Sequence, residues 1–254
     1  MAGKSSHSIS FVVPALNEEK VVEAVVRDIW TVVDSHVSHY EIILIDDGST
    51  DRTGAIMDAL ARELPNVRAL HNKSNIGLGA SYQRGVSEAR LDFVMMLCGD
   101  GGVPASSLPP VIAKVGSADI VIPYMTNLRQ IKSPSRYLIS RAYTNLLNLI
   151  SGHRLHYYNG LPVHRRALLR KVRVASSGFG FQGEILVKLL KSGCSYVEVP
   201  TLGAETTNKT SVFRIRNLLS VTRTLLRLTV ELATFRKIEF DVSRRGAADQ
   251  QTST

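Results

Sequence analysis

Short apolar runs alternate with longer segments in which apolar residues recur every three or four positions, and this alternation organises the first half of the chain. Ile9 to Val13 is the first run, ended by Pro14, and predicts a buried strand. From Glu18 to Val33 the residues Val22, Val25, Val26, Ile29, Val32 and Val33 keep helical spacing, with Asn17 placed as N-cap. Glu41 to Asp46 predicts a second strand, closed by Asp47-Gly48-Ser49, and Ser49 or Thr50 is placed to cap a helix through about Leu64. Val67 to His71 is a third strand, and the loop Asn75 to Gly79 leads into a helix over Ala80 to Ala89. Asp92 to Leu97 is a fourth strand, ended by Gly99-Asp100-Gly101-Gly102, followed by a helix around Ser106 to Val115 and a strand over Asp119 to Pro123. Repeated β-α-β units predict an α/β fold with a mostly parallel, Rossmann-like sheet and helices on both faces. Ligands of such sheets bind beyond the carboxyl ends of the strands. The loops after Val13, Ile45 and Leu97 fall there, and all three carry carboxylates.

The second half is less regular. Ser135 to Ser151 predicts a helix with Leu138, Ala142, Leu146 and Leu149 on one side. Glu184 to Lys191 predicts another, and Ser195 to Val199 a late strand. Glu205 to Ser211 is polar and reads as a mobile loop. From Val212 to about Lys237, Leu218, Val221, Thr222, Leu225, Leu228 and Leu232 form one helical stripe, with Arg216, Arg223 and Arg227 opposite. Such a basic amphipathic helix suits the face of an anionic bilayer. The same pattern also fits a core-packing helix whose arginines meet water. The expected organisation is a flexible N-terminus over 1–8, an α/β domain over 9–211, a basic amphipathic segment over 212–240 and a disordered tail over 241–254.

Composition narrows the partners. The 31 basic residues exceed the 22 acidic ones, a formal charge of +9 that favours anionic partners such as acidic lipid or a phosphorylated substrate. Nucleic acid is set aside because no binding motif for it occurs. The two cysteines, Cys98 and Cys194, form no CxxC pair, so a reducing compartment is expected. Met1 to Ser10 lacks the apolar core of a signal peptide, and no run of 18 apolar residues occurs. The expected location is therefore cytoplasmic, peripheral at the inner face of a membrane. The sequons at Asn72 and Asn208 read as chance matches.

The acidic loops carry the chemistry. They are Pro14-Ala15-Leu16-Asn17-Glu18-Glu19, Asp46-Asp47-Gly48-Ser49-Thr50-Asp51 and Gly99-Asp100-Gly101. Carboxylates at strand ends accept hydrogen bonds from a base or ribose, or hold a divalent cation through oxygen. Helix capping is the plainer role for Asn17, Glu18 and Asp51. Asp46 and Asp47 resist that account. Adjacent acids at the end of a buried strand cost desolvation and repulsion unless something binds them.

Taken in order, Pro14-Ala15-Leu16-Asn17-Glu18, Ile45-Asp46-Asp47-Gly48-Ser49-Thr50-Asp51 and Asn75-Ile76-Gly77-Leu78-Gly79-Ala80 resemble the family-2 glycosyltransferases, dolichyl-phosphate mannosyltransferase-like enzymes above all. Gly178-Phe179-Gly180-Phe181-Gln182-Gly183-Glu184 and Val197-Glu198-Val199-Pro200 continue the resemblance. It implies a GT-A fold and inverting transfer from a nucleotide-sugar to a lipid-phosphate or other membrane-associated acceptor. It places Pro14, Ala15, Leu16, Glu18, Asp46 and Asp47 at the nucleoside, with Gly77, Gly79 and Gly99 in the donor loops. It places Asp100 at the diphosphate and its Mg²⁺ or Mn²⁺.

The chain departs from the family in places. Cys98 stands where the family carries the first Asp of Asp-x-Asp, and a neutral thiol is a poor ligand for Mg²⁺ or Mn²⁺. The basic residue after the fifth strand is absent, with Arg129 and Lys132 nearby, and Lys209 and Arg214 remain to meet a phosphate. Tyr157 and Tyr158 are placed to stack on a ligand or to pack. Gln182 and Glu184 lie in the half facing the acceptor, and Glu184 is the general base if the acceptor is a hydroxyl. A lipid phosphate would need no base, and Glu184 would then serve the helix N-terminus. A non-catalytic nucleotide-sugar or lipid-binding module is the alternative raised by Cys98. A nucleotidyltransferase is disfavoured because Pro14 to Lys20 is acidic where such enzymes carry basic, glycine-rich loops.

Overall fold

The computed structural model describes residues 4–176, 178, 180–203, 227, 228, 230 and 231. The elements run β1 Ser5–Ala15, α1 Val22–His36, β2 Val37–Asp46, α2 Thr53–Glu63, β3 Val67–His71, α3 Leu78–Glu88 and β4 Phe93–Met96. A 3₁₀ turn at Ala105–Ser107 opens α4 Leu108–Ile112, and β5 Ile120–Met125, α5 Leu128–Ile131 and α6 Pro134–Ser151 follow. Then come β6 Val163–Arg165, α7 Arg166–Leu169, α8 Phe181–Lys191 and β7 Tyr196–Thr201.

The strands form one sheet of order β3-β2-β1-β4-β6-β5-β7. Pairings β1–β2, β1–β4, β2–β3 and β5–β7 are parallel, and only β6 runs against its neighbours. Alternate residues of β1 point to opposite faces, as the pleat requires. Phe11 and Val13 join α1, α2 and α4 in one buried cluster; Val12 joins α3, α6 and α8 in the other. At the second face Gly85 lets α3 ride close on β1, because a Cβ there would lie 2.2 Å from Val12 Cγ1.

The strand begins at Ser5, so residues 5–8 belong to the sheet rather than to a flexible terminus. The cause is polar anchoring that apolar patterning does not register: Ser8 Oγ donates to Asp92 Oδ2 at 2.8 Å, and His7 packs edge-on against Phe93. Pro14 lies within β1 instead of ending it. It is tolerated because β4 pairs no further than Val12↔Met96, so a missing N–H there breaks no rung. The helix expected over Ser106 to Val115 is shorter, Leu108–Ile112. No described helix is long and apolar enough to cross a membrane.

Asn17 does not cap α1. Its backbone is left-handed, with φ of 56°, and its side-chain oxygen accepts from Thr50 N–H instead. The α1 and α2 N-caps, Val21 and Arg52, make no side-chain cap bond. Asp51 takes the second role, accepting from Thr53 N–H at 2.9 Å in the first turn of α2. The 205–211 loop, the tail and nearly all of the 212–240 segment lie outside the described residues.

Candidate functional site

The carboxyl ends of β1, β2, β3 and β4 lie side by side in the sheet. Their loops are stitched together by backbone donors. Asp47 N–H donates to Ala15 O at 2.9 Å, Gly99 N–H to Pro14 O at 3.1 Å and Asn72 N–H to Asp46 O at 2.8 Å. Farther out, Glu18 N–H donates to Thr53 Oγ1, Glu19 N–H to Asp51 Oδ2 and Arg52 N–H to Glu19 Oε2. One site thus gathers Pro14, Ala15, Leu16, Glu18, Asp46, Asp47, Gly77, Gly99 and Asp100, with Gly79 buried in the first turn of α3. Gly48 makes this possible at φ of 76°, since a Cβ would lie 2.5 Å from the Ser74 backbone.

The adjacent acids are both buried, and both are bound by the protein itself. Asp46 Oδ1 accepts from Ser49 N–H at 2.9 Å, and Oδ2 meets His71 Nδ1 at 3.0 Å. His71 Nε2 meets Asp58 Oδ1 at 2.9 Å. Burial pushes the Asp46 carboxyl upward, but Ser49 and His71 outweigh it and hold it below the usual value. Asp46 and Asp58 together raise the His71 pKa. Asp47 Oδ1 accepts from Asn72 Nδ2 at 2.8 Å and Ile76 N–H at 3.0 Å, and Oδ2 from Gly77 N–H at 3.0 Å. Asn72 is buried and engaged, so its sequon is no acceptor for a glycan.

The fourth-strand loop turns at Gly101, with φ of 73°, and Asp100 Oδ1 accepts from Gly102 N–H at 3.0 Å. Gly99 seats the loop on β1, because a Cβ would lie 2.8 Å from that of Ala15. Burial, reinforced by the charges of Asp100 and Glu18, drives the Cys98 pKa far up and keeps its thiol neutral. Among the described residues no cluster of three His, Cys, Asp or Glu could hold a metal by itself.

Gln182 and Glu184 lie at the start of α8, which packs on α3 through the Phe181 and Tyr82 rings, 5.4 Å apart. Gln182 is buried with no partner for its Oε1 among the described residues. Glu184 is fully engaged. Ala175 N–H and Ser176 N–H each donate to it at 3.0 Å, and Lys188 Nζ at 2.7 Å. Burial pushes its pKa up, yet these donors hold it below the usual carboxylate range. That is the opposite of the tuning a general base needs near neutrality.

Tyr157 and Tyr158 are both buried, so both pack. Lys132 Nζ donates to Tyr157 Oη and Ser140 Oγ, whereas Arg129 is exposed. Lys209 and Arg214 lie outside the described residues. Leu228 is buried in the second core cluster, Arg227 donates to Ser176 Oγ, and Glu231 pairs with Lys188 at 2.8 Å. At this point the C-terminal stripe meets protein. Sequence reasoning missed His71, Asn72, Arg84 and Lys188. The first two were visible only as the residues ending β3 beside the acids of β2.

The family model described as Glycosyl transferase family 2 matches residues 10–173. Dodecaprenyl-phosphate galacturonate synthase of Rhizobium johnstonii is 29% identical over 66% of this chain and 51% of its own length. Undecaprenyl-phosphate mannosyltransferase of Micrococcus luteus is 29% identical over 74% of this chain and 80% of its own length. The chain spans about half of the first relative and, at 36%, less of glycosyltransferase AglD of Haloferax volcanii. Glucosyl-3-phosphoglycerate synthase from Mycobacterium tuberculosis, solved with Mn²⁺, UDP and glucosyl-3-phosphoglycerate, shares the fold. Its TM-score is 0.66 at 22% identity, over 88% of this chain and 80% of that one.

Proposed function

Because the chain belongs to glycosyl transferase family 2, we propose that it moves a sugar from a nucleotide-sugar to a polyprenyl-phosphate acceptor, with inversion at the anomeric carbon. The observation that carries this reading is the single site where the β1, β2, β3 and β4 loops converge around Asp46, Asp47 and Asp100. Asp47 accepts three protein hydrogen bonds, and a carboxylate offers about four sites. The remaining one suits an N–H or O–H of the nucleoside. Pro14, Ala15, Leu16 and Glu18 form the wall beside it. The relatives named for dodecaprenyl and undecaprenyl phosphate support the acceptor class.

In the reaction an acceptor phosphate oxygen bonds to the anomeric carbon as the bond to the nucleoside diphosphate breaks. A phosphate oxyanion is already deprotonated and needs no base. The engagement of Glu184 by Lys188, Ala175 and Ser176 supports that case over a hydroxyl acceptor. Glu184 then holds the 173–176 segment in place. Asp100 would hold a Mg²⁺ or Mn²⁺ that offsets the charge of the leaving diphosphate. Gln182, whose buried oxygen has no partner among the described residues, is a proposed polar contact on the acceptor side. Lys209 and Arg214 are proposed phosphate contacts on sequence alone.

The membrane contact is assigned to α6. Leu138 is 69% and Leu149 80% exposed, with Ile139, Ala142 and Leu146 also exposed, while Thr144, Leu147 and Ser151 face the core. The helix carries Arg136 and Arg141 and no acid. An apolar face flanked by cations suits a peripheral seat on acidic lipid. The two free cysteines agree with a reducing, cytoplasmic side.

The deciding experiment offers a panel of radiolabelled nucleotide-sugars together with undecaprenyl phosphate and Mn²⁺. Label entering the organic phase establishes transfer. Donor binding without transfer to any acceptor favours the second reading, a binding module, which the neutral thiol of Cys98 beside the diphosphate loop supports.

A further inference from the structure

We propose that His71 and Asn72, the residues at the end of β3, are the positioning pair of the donor pocket, each orienting one of its two adjacent acids. The inference rests on the donor-site reading above. The parallel register sets His71 opposite Asp46, and Asn72 follows it. His71 spans 3.0 Å to Asp46 on β2 and 2.9 Å to Asp58 on α2. Room for this bridge comes from Gly54, where a Cβ would lie 2.7 Å from Asp46 Oδ2 and 3.3 Å from His71 Nδ1.

Asn72 works on the other acid. Both of its amide hydrogens are used, at 2.8 Å to Asp47 Oδ1 and 2.8 Å to Ser81 Oγ of α3. Its Oδ1 takes Arg84 Nη1, which also donates to His71 O. Arg84 thereby clamps the two residues from α3. The chain of contacts leaves Asp47 fixed by Asn72 on one side and by Ile76 and Gly77 N–H on the other. A carboxylate so held presents its last acceptor site in one direction.

The bridge has a titratable element. Imidazolium has two N–H donors, one for each carboxylate; neutral imidazole has one. The charged groups facing His71 are Asp46 from β2, Asp58 from α2 and Arg84 from α3. When His71 loses its proton, either Asp46 or Asp58 meets a lone pair, and the bridge keeps only one of its two hydrogen bonds.

The test titrates uridine diphosphate and guanosine diphosphate separately into the full chain by calorimetry, from about pH 6 to about pH 9. The tighter nucleotide is carried to Asn72→Ala, His71→Gln and Asp58→Asn. Asn72→Ala and His71→Gln should each weaken it by about tenfold or more. Wild-type affinity should fall as pH rises through the His71 ionisation, His71→Gln should lack that fall, and Asp58→Asn should move it to lower pH. Asp58 is half-exposed, so Asp58→Asn should cost little stability, and the position of its pH profile reads positioning apart from folding. Superimposable pH profiles for wild type and Asp58→Asn, or unchanged affinity in the two pocket variants, overturn the inference alone. Failure of both nucleotides to bind wild type overturns the donor reading and the inference with it.

Discussion

Lys188 Nζ lies 2.7 Å from Oε1 of Glu184, one helical turn away, and the two side chains are 6% and 2% exposed. The pair is completed by Arg173 O and by Glu231, so one buried ammonium joins α8, the 173–176 segment and the chain near residue 231. Desolvating such a pair is expensive, and leaving either partner alone is worse.

Glu184→Gln should therefore act on stability. Breaking a buried pair costs about 3–5 kcal/mol when the surviving charge is left uncompensated, and that is the upper bound here because Lys188 keeps Glu231 and Arg173 O. Thermal unfolding of this variant should shift down by many degrees, while transfer per folded molecule stays within a few-fold of wild type. A general base would show the reverse, a loss of about 10²–10⁴ in rate at unchanged melting temperature.

The pH dependence of stability should carry the signature of the Asp46–His71–Asp58 bridge. His71 has a raised pKa in the fold, because of Asp46 and then Asp58. Its contribution is complete below the unfolded-state value of about 6.5 and is lost as pH rises through the raised folded value. Asp46 is held low against the pull of burial by Ser49 and His71. Its contribution is complete above about 3.9 and is lost as pH falls through the lowered folded value. Melting temperature should peak between these limits, and His71→Gln should flatten the alkaline side. An alkaline side identical in wild type and His71→Gln would show that the bridge adds nothing.

The bridge also marks where sequence reading stops. Val67 to His71 is legible as a strand from its apolar spacing, and the convergence of acidic loops follows from β-α-β order. The expectation that two adjacent buried acids need binding groups is correct in its physics. The groups that answer it, however, come mostly from His71 at the end of β3 and from Asn72, Ile76 and Gly77 in the loop that follows, with Ser49 from the acids' own loop. Finding them requires the pairing Asp46↔His71, a fact of register between strands 25 residues apart. Glu184 shows the same limit from the other side. Its place in a family segment suggests chemistry, whereas its burial beside Lys188 is visible only in the packing of α8.

The diphosphate loop predicts a metal requirement of unusual form. Asp100 is the sole carboxylate of its loop, and the thiol beside it stays neutral. Asp100→Ala should abolish Mn²⁺-dependent nucleotide binding in calorimetry. Cys98→Asp should tighten it by supplying a second oxygen ligand. Undiminished transfer in excess chelator would rule out the cation and transfer its task to Lys209 and Arg214.

The exposed face of α6 gives the last prediction. Leu138 and Leu149 stand 69% and 80% exposed, whereas Leu228 of the C-terminal stripe is 2% exposed. Apolar surface already buried in protein has nothing further to gain from lipid; the α6 leucines do. Burying a leucine fully is worth about 1.5–3 kcal/mol, so the pair should contribute at least tenfold to vesicle binding. Each cation near an acidic surface adds about 1 kcal/mol, which Arg141 supplies from the same helix. Leu138→Gln/Leu149→Gln should release the protein from anionic vesicles at unchanged melting temperature, since neither side chain packs in the core. Arg141→Gln should weaken binding less, and high salt should remove only the part that Arg141 and its neighbours contribute. If the double variant sediments with anionic vesicles as well as wild type does, α6 is not the seat. The apolar face would then belong to contact with another protein surface.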